Sequence, residues 1–438
     1  MSTKRLLAPL ERLALGQSKR KQVRRQDLCR WKSSERQTDP IDALAAATAG
    51  RVPALLEIKW QRMAAGPFEF FRGAVPIMAA DLAVMPHTSL TTQLCGDAHV
   101  NNLGAYAAPD GRLVFDINDF DETIHGPFEW DVKRLATSII LAGREAGDKD
   151  SDCDAAVAVL LKTYRRSMAT FAKMPVMDLA RYQVHRLQRI EPVSKVLVKA
   201  ERTTPQANQE RLTEQTKGLD HRVFVEKKPL QYRVSTAKAQ EVLDSLTFYR
   251  GTLLPERRHF LDQYRPLDVA FRVVGTGSVG LRDYIIYFEG NGSGDPLFLQ
   301  IKEEPASAYA PYLGEMAEPQ HQGQRVAQGQ RAMQFLSDLL LGWTTIKNRH
   351  YLVRQLSDHK ASIVITDLKG EGLPQYAEMC GELLARGHAR AGDPLALAGY
   401  IGNSDRFAEA IAEFADDYAD QMEADYKTFL KSRFAPKK

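Results

Sequence analysis

The chain is poor in cysteine and has no long apolar run. Its 438 residues include only Cys29, Cys95, Cys153 and Cys380, and no two of them form a C-x-x-C pair. This pattern argues against a zinc site or a disulfide framework and fits a reducing compartment. No apolar run approaches the length of a membrane span, and residues 1–38 lack the continuous apolar segment of a secretory signal. We therefore expect a soluble, cytoplasmic protein without a membrane partner.

The chain also lacks a strong charge of either sign. The formal net charge is +4, which is too mild to indicate a nucleic-acid partner, and much of it lies in residues 1–38, with eleven Lys or Arg and three Asp or Glu. We expect a solvated, flexible basic tail there; an arm that binds nucleic acid or an anionic surface is the alternative. With 44% hydrophobic residues and 26% charged residues the rest has a globular composition, and its length allows two or three compact lobes.

Hydrophobic periodicity divides the remainder into helical flanks around a strand-rich centre. Helical spacing is found at 41–49, 53–65 and 130–147, and the stretch 155–260 is mostly helical. Residues 112–117 alternate as a strand does. Helical character returns after Gly372, and Ser404 is a plausible N-cap for a last long helix.

The central region, residues 266–368, is rich in β-branched and aromatic residues. Three strands are predicted first, then a helix that is stopped by Gly342, then two more strands. Their bounds are Val269–Val274, Leu281–Phe288, Leu297–Lys302, Gln324–Leu341, Tyr351–Leu356 and Ser362–Thr366. This β-β-β-α-β-β order is that of a kinase small lobe.

A glycine-rich loop connects the first two of these strands. It reads Gly275, Thr276, Gly277, Ser278, Val279 and Gly280. Because a strand and not a helix follows, the loop does not fit a dinucleotide-binding fold, and without Gly-Lys-Ser/Thr it is no P-loop. It predicts a hairpin whose backbone N–H groups close over phosphates, with a plain tight hairpin as the alternative. Lys302 ends the third strand, where it would bind the α- and β-phosphates; taken alone it would more often be a solvent-facing strand lysine, and its pairing with the glycine loop makes the pattern more specific.

An acidic segment earlier in the chain predicts a catalytic and metal-binding site. Asp97 and Asn102 stand five residues apart, as in the catalytic loop of kinases. Asp97 would orient the attacking hydroxyl and accept its proton, and Asn102 would help to hold Mg²⁺ on ATP. Asp119 is placed to be the main metal carboxylate, with Asp116 and Asp121 in competition. His99, between them, either orients the loop, binds substrate or is structural. We also predict Asp121 as a metal ligand.

The loop residues Gly96, Asp97, His99 and Asn102 resemble the G-D-x-H-x-x-N loop of aminoglycoside and choline-type phosphotransferases. The twelve-residue spacing between Asp119 and Asp131 also matches. The resemblance implies that Asp119 is preferred over Asp116 as metal ligand and that Asp131 braces the catalytic loop. In kinases, however, the glycine loop and its lysine precede the acidic loop. Here they follow it, which indicates a circularly permuted chain.

The permutation has an independent check in the sequence. The resembling families have a helix ending in L-A-x-L-H just before the catalytic loop, and residues 383–388 fit that helix. Over nearly its whole length the chain also resembles the domain of unknown function 2252 family of bacterial proteins. The segments that carry this resemblance include 67–73, 95–104, 115–135, 275–280 and 300–303. That resemblance implies no activity.

Together these observations predict an α+β, two-lobed protein-kinase-like fold, circularly permuted, with a five-stranded small lobe and a mostly helical large lobe. The expected division is a tail over 1–38, a first large-lobe part over 39–265, the small lobe over 266–368 and a second large-lobe part over 369–438. Adenine would contact the backbone near Val364–Leu368.

The expected activity is transfer of the γ-phosphoryl group of ATP, with Mg²⁺, to a hydroxyl of a small molecule. A nucleotide-binding pseudoenzyme, or transfer of AMP on the same fold, is the alternative. Lys302 lacks an obvious helix-borne glutamate, and Glu303, Glu304 and Glu315 are candidate partners. Arg72 could contact substrate or phosphate, although an ion-paired structural role is favoured. The sequence does not fix an oligomeric state.

Overall fold

The computed structural model describes residues 7–184, 190–216, 218–314, 319–356 and 361–436, and in them the chain folds as a mixed α and β protein. No described helix is both long enough and apolar enough to cross a membrane. Two main hydrophobic cores organise the molecule. The large core joins helices from both ends of the chain, and the sheet core lies under the central strands.

The part of the chain up to residue 261 contains Asp97 and Asp119. The helices are α1 (Pro9–Lys19), α2 (Pro40–Ala46), α3 (Leu56–Met63), α4 (Pro67–Gly73), α5 (Val75–Val84), α6 (Phe128–Ala146), α7 (Asp150–Phe171), α8 (Val176–Arg181), α9 (Glu191–Glu201), α10 (Pro205–Leu212), α11 (Thr236–Asp244), α12 (Leu246–Gly251) and α13 (Pro255–Leu261). The strands are β1 (Thr91–Leu94), β2 (Leu103–Ala107), β3 (Leu113–Ile117), β4 (Ile124–Pro127), β5 (Thr213–Gln215), β6 (Arg222–Phe224) and β7 (Gln231–Arg233).

The rest of the chain completes the central sheet and returns to the large core. It contains the strands β8 (Arg265–Arg272), β9 (Asp283–Glu289) and β10 (Pro296–Glu303), helix α14 (Gln322–Met333), the strands β11 (Gly342–Ile346), β12 (Arg349–Gln355) and β13 (Ala361–Ser362), and helices α15 (Gly372–Ala391), α16 (Pro394–Ile401) and α17 (Arg406–Phe429).

The central sheet is antiparallel, with the strand order β11-β12-β10-β9-β8-β7. Helices α11–α13 supply Val242, Tyr249 and Leu261 to the core on one of its faces. On the other face, Leu212 and Phe224 pack against a smaller apolar group that includes Ala270, Ile285 and Phe298. Both faces of the sheet are therefore at least partly closed by segments that precede β8 in the chain.

The sheet differs from the predicted five strands in three ways. The predicted strand Ser362–Thr366 is not part of it, because only Ala361–Ser362 is extended and it pairs with β2, beside β3, in a separate sheet. The predicted helix Gln324–Leu341 ends at Met333, and β11 takes the place of the predicted stop at Gly342. A sixth strand, β7, comes from the stretch predicted as mostly helical.

A side-chain cap explains the early end of α14. The carboxylate of Asp338 accepts hydrogen bonds from the backbone N–H groups of Leu340, at 2.8 Å, and Gln355, at 2.6 Å. These bonds hold a turn that a continuing helix would not allow, and they attach it to the end of β12. Gly342 then lets β11 approach α12, because a Cβ there would lie 2.5 Å from Oγ1 of Thr252. Apolar periodicity does not reveal such a cap.

The basic N-terminal segment is folded against the large core over much of its length, which corrects the prediction of a flexible tail at 1–38. Arg12 in α1 forms an ion pair with Asp393, with 2.7 Å between Nη2 and Oδ1. Arg20 and Arg25 donate to the carbonyl oxygens of Tyr400, at 2.9 Å, and Ile401, at 2.8 Å, at the end of α16. Positive groups are favoured there because the last carbonyls of a helix carry partial negative charge.

The C-terminal helices return to the first half of the chain. Helix α15 packs so closely on α7 that a Cβ at Gly381 would lie 2.4 Å from the carbonyl oxygen of Leu160. Helix α17 buries an apolar face, from Phe407 to Phe429, in the same core. Segments on both sides of the central sheet thus build one large core, and the catalytic segment lies at its edge.

Candidate functional site

A cavity of about 700 Å³ lies between the central sheet and the large core. Its walls come from the glycine loop, the catalytic loop, residues 119–122, residues 304–312 and residues 38–51. It gathers most of the predicted site residues, which are Asp97, His99, Asn102, Asp119, Asp121, Gly275, Thr276, Gly277 and Ser278. This volume falls within the usual range for pockets that bind small molecules.

Three predicted residues, Val279, Gly280 and Lys302, do not line this cavity. Val279 is buried in the sheet core, and the carbonyl of Gly280 accepts a hydrogen bond from the N–H of Val52 at 2.7 Å. Lys302 is 3% exposed and forms an ion pair with Asp121, which does line the cavity. Only the first part of the glycine loop faces the open space, and Lys302 stands behind its wall.

Cations from the segment around α3 hold the glycine loop by its carbonyl groups. Arg51 donates from Nη1 to the carbonyls of Gly277, at 2.8 Å, and Val279, at 2.6 Å. Lys59 donates to the carbonyls of Thr276 and Gly277, at 3.3 and 3.2 Å, and Arg62 to that of Gly275. Among the described residues, the backbone N–H groups of 275–280 have no hydrogen-bond acceptor. A loop fixed by its carbonyls with unpaired N–H groups is suited to an anion.

Arg51, Lys59 and Arg62 together form a clamp on the glycine loop, and burial lowers the pKa of two of its members. Desolvation lowers the pKa of the Lys59 ammonium well below its ordinary value, and the charge of Arg51 lowers it further. Desolvation also lowers the pKa of the Arg51 guanidinium.

Glycine is required at two loop positions, because φ is +65° at Gly275 and +92° at Gly280. Sequence reasoning found these glycines but not the clamp, because its members precede the loop by more than 200 residues.

The catalytic loop is braced from below by Asp131. Its carboxylate accepts hydrogen bonds from the N–H groups of Cys95, at 2.8 Å, and Gly96, at 3.0 Å. His388 of α15 lies 3.2 Å from the same carboxylate, measured from Nε2 to Oδ2, and is itself bonded to the hydroxyl of Tyr164 at 2.8 Å. The brace that the resemblance implies for Asp131 is therefore present as hydrogen bonds. It also joins the loop to the helix predicted to precede it.

Asp97 is held by a cation that the sequence reasoning missed. Arg134, 0% exposed, donates from Nε and Nη2 to Oδ1 of Asp97, at 2.8 and 2.6 Å. His99 Nε2 lies 3.6 Å from the other oxygen, Oδ2. Burial by itself would raise the pKa of Asp97, but the charge of Arg134 and the hydrogen bonds that it donates hold this pKa below its usual range. Arg134 follows Asp131 by three residues on one helix, so the two side chains share a helix face. This spacing could have indicated that Arg134 contacts the same loop as Asp131.

These contacts define what Asp97 can do. It is ionised near neutral pH, and its oxygen Oδ2 can accept a hydrogen bond from a ligand hydroxyl. Desolvation lowers the pKa of His99, and Nδ1 of His99 accepts the N–H of Asn101 at 3.2 Å. Asn102 donates from Nδ2 to the carbonyl of Asp97 at 2.8 Å, which leaves its Oδ1 oxygen available for a cation. Asp97 therefore suits orientation of a hydroxyl better than prolonged storage of a proton.

The structure separates the three aspartates that competed as metal ligands. Asp116 does not line the cavity; it forms an ion pair with Arg386 inside the large core. Asp121 lines the cavity but is paired with Lys302. Desolvation and the charge of Asp119 raise the pKa of Asp121, while Asp121 and Asp119 together raise that of Lys302 against the effect of burial. Asp119 lines the cavity, and its predicted role as the main metal carboxylate stays a prediction.

The predicted partners of Lys302 have other roles. Glu303 forms ion pairs with Arg282, at 3.1 Å, and Arg349, at 2.6 Å. Glu304 lines the cavity and forms no ion pair with Lys302, and Glu315 lies outside the described residues. The acidic partner of Lys302 is thus Asp121, which comes from the catalytic segment and not from the helix that follows β10.

The donor set of the cavity fits a hard cation. Asp119, Asp121, Glu304 and Asn102 offer oxygen atoms, which Mg²⁺ prefers to nitrogen or sulfur. Within the described ranges, no group of three or more His, Cys, Asp or Glu side chains could hold a metal ion as they lie. Mg²⁺ is commonly held by one or two carboxylates, with water and phosphate oxygens as its other ligands. The residues present therefore fit a magnesium ion that arrives with a phosphate ligand.

Two further sequence expectations can be placed. Arg72 lines the cavity and forms an ion pair with Glu69 at 2.8 Å, so the ion-paired role holds in this structure. The segment Val364–Leu368 does not line the cavity: Val364 is exposed and Leu368 is buried in the large core. The predicted adenine contact is therefore not part of this cavity.

Comparison with known sequences identifies the family. No curated protein and no solved structure is significantly similar to the chain. The sequence profile of DUF2252, described as an uncharacterized protein conserved in bacteria, matches residues 51–432. This match covers most of the chain, including the glycine loop, the loop that contains Asp97 and the segment that contains Asp119 and Asp121. The chain therefore belongs to the DUF2252 family.

Proposed function

We propose that the protein is a phosphotransferase that uses ATP with Mg²⁺ and moves the γ-phosphoryl group to a hydroxyl of a small molecule. One observation carries this proposal. Residues 275–278 of the glycine loop, whose N–H groups have no acceptor among the described residues, line the same cavity as the oxygen-bearing residues Asp97, Asn102 and Asp119. One side can bind phosphate, and the other can hold a cation and a hydroxyl.

The order of elements supports a kinase-like arrangement with a permuted chain. Strands β8 and β9 flank the glycine loop, β10 carries Lys302, and α14 and then β11 and β12 follow. His388 and Asp131 lie 257 residues apart in the sequence, and their contact brings the end of α15 to the loop that contains Asp97. An unpermuted chain would have this helix directly before the loop.

In the proposed reaction the acceptor hydroxyl donates a hydrogen bond to Oδ2 of Asp97. The hydroxyl oxygen forms a bond to the γ-phosphorus while the bond between that phosphorus and the β,γ-bridging oxygen breaks. ADP leaves, and the hydroxyl proton passes through Asp97 to solvent. Asn102 and Asp119 would hold Mg²⁺, which supplies charge neutralisation at the phosphates. Lys302 adds positive potential behind Asp121.

Thermal unfolding with MgATP tests the nucleotide site. A ligand that binds only the folded state raises the melting temperature. We expect a rise in wild type and a smaller rise in Asp119→Ala. Asp110→Ala is the matched control, because Asp110 is an exposed aspartate whose partner is Arg112. No shift in wild type with ATP or GTP would contradict the proposal.

Labelled ATP then distinguishes the chemistries. Transfer of label from the γ position to an acceptor, lost in Asp97→Asn, supports phosphoryl transfer. Transfer from the α position indicates the AMP-transfer alternative. Binding without transfer, unaffected by Asp97→Asn, indicates a nucleotide-binding pseudoenzyme. Either of the last two results overturns the proposed reaction but leaves the nucleotide site standing.

A further inference from the structure

Glu304 is a buried acid whose carboxylate has no hydrogen-bond or ion-pair partner within the part of the chain that the structure describes. It directly follows β10, is 3% exposed and lines the cavity. Both of its side-chain oxygens are buried and lack a hydrogen bond. Its backbone N–H donates to the carbonyl of His350 at 2.9 Å, which fixes the residue against the start of β12. The position of this carboxylate is therefore set by the sheet and not by a side-chain contact.

The neighbouring cations are engaged elsewhere. Lys302 forms its ion pair with Asp121. Arg325 of α14 donates to the backbone carbonyls of Asp121, at 2.9 Å, Pro305, at 3.0 Å, and Thr123. Desolvation and the charge of Asp121 raise the pKa of the Glu304 carboxyl well above its ordinary value, while the charges of Lys302 and Arg325 act against this shift. Glu304 therefore lies near the carboxylates of Asp121 and Asp119, while Lys302 and Arg325 bond to other groups.

A buried carboxylate without hydrogen bonds or an ion partner is costly, and native proteins seldom keep one without a reason. A small cation that enters from the cavity would satisfy both oxygens. Oxygen-only ligation in a field of several carboxylates selects a hard divalent ion. We propose that Glu304 is a ligand of a Mg²⁺ or Mn²⁺ ion, bound in the cavity in the field of Asp119 and Asp121 and completed by water.

This ligand is additional to those expected from the sequence, because it comes from the end of a sheet strand and not from the catalytic segment. The ion would join the sheet to residues 119–121 across the cavity. The proposal deepens the proposed function, because it adds a ligand at the same site. It does not require phosphotransfer, since the ion can be tested alone.

The test uses Mn²⁺ alone with the full-length protein in metal-free buffer near pH 7.5. Electron paramagnetic resonance of free Mn²⁺ gives affinity and stoichiometry, and thermal unfolding gives an independent readout. We expect wild type to bind Mn²⁺ and to gain stability. Glu304→Gln, which keeps the shape of the side chain, should weaken this site at least tenfold while the metal-free protein unfolds at the same or a higher temperature.

Glu303→Gln is the matched control, since it removes the adjacent carboxylate, which is held by Arg282 and Arg349. It should keep wild-type Mn²⁺ affinity even though it unfolds at a lower temperature. Glu304→Asp retains a carboxylate, so it should keep measurable but weaker binding. This second variant gives an answer even where Glu304→Gln folds poorly.

Equal Mn²⁺ affinity in wild type and Glu304→Gln would overturn the proposal and leave Glu304 as a protonated buried acid. Tripolyphosphate binding in the presence of EDTA reports on phosphate binding without metal. A change of that binding in Glu304→Gln, with Mn²⁺ binding unchanged, would also overturn the proposal, because Glu304 would then act through Lys302. Loss of Mn²⁺ binding in Glu304→Gln supports the proposal even where wild type fails to bind ATP. That last combination of results would contradict the proposed function but not the proposal that Glu304 is a metal ligand.

Discussion

Removal of the Asp131 carboxylate should destabilise the protein more than most single substitutions. Asp131 is 1% exposed and accepts the backbone N–H groups of Cys95 and Gly96. In Asp131→Ala both N–H groups lose their acceptor in a buried setting. A hydrogen bond to a charged group contributes about 1.5–3 kcal/mol, so the two together predict a loss of about 3–6 kcal/mol. That is a large share of the usual stability of a folded domain, about 5–15 kcal/mol.

Asp131→Asn gives an intermediate case. One amide oxygen remains to accept one of the two N–H groups, while the amide nitrogen faces the other donor. The loss of one charge-assisted bond predicts about 2–3 kcal/mol. The expected order of stability is therefore wild type, then Asp131→Asn, then Asp131→Ala.

Urea unfolding followed by circular dichroism measures these differences, provided that the m-values agree among the variants. Asp110→Ala serves as the surface control and should stay within about 0.5 kcal/mol of wild type. The reasoning would be refuted by a loss below about 1 kcal/mol in Asp131→Ala with an unchanged m-value. The catalytic loop would then be held by contacts other than this carboxylate.

Two further stability predictions follow from buried groups. Burial raises the pKa of Asp283 to about 7. Because the folded-state pKa lies above the unfolded one, wild-type stability should fall as pH rises from about 4 to about 7 and then level off. Asp283→Asn should remove this fall, so urea unfolding across that pH range should show a gap that widens towards pH 7, and parallel curves would contradict it. Gly381→Ala should cost about 1–3 kcal/mol because its Cβ would meet the backbone of Leu160, while Gly251→Ala, with open space around its Cβ, should be neutral or stabilising in thermal unfolding. Equal effects of the two alanines would refute the packing argument.

The sequence was sufficient to predict the strands on both sides of the glycine loop and the strand that carries Lys302. These segments are strongly periodic and are bounded by glycine-rich turns, so local preference and tertiary structure agree. The end of α14 and the strand β11 were not predicted. Their positions depend on the cap by Asp338 and on the contact with Thr252, which come from residues far apart in the chain.

The predicted site was mostly brought together, but its electrostatics were not predictable. Motif spacing located Asp97, Asn102 and Asp119, which all line the cavity. Spacing could not show that Lys302 pairs with Asp121, because that contact joins residues 181 positions apart. The clamp of the glycine loop and the surroundings of Glu304 could not be predicted either, because contacts between residues far apart in the chain leave no local pattern in the sequence.

The glycine loop offers the most direct test of the account. A Cβ at Gly277 would come no closer than 3.7 Å to its nearest neighbour, the carbonyl oxygen of Arg72, so Gly277→Ala should fold and unfold as wild type does. The added methyl group would obstruct the approach of phosphate to the N–H groups of the loop. Isothermal titration with MgATP should show one binding site in wild type and at least tenfold weaker binding in Gly277→Ala at an unchanged melting temperature. Equal affinity in the two proteins, or no binding by wild type, would contradict the claim that this loop binds nucleotide phosphates.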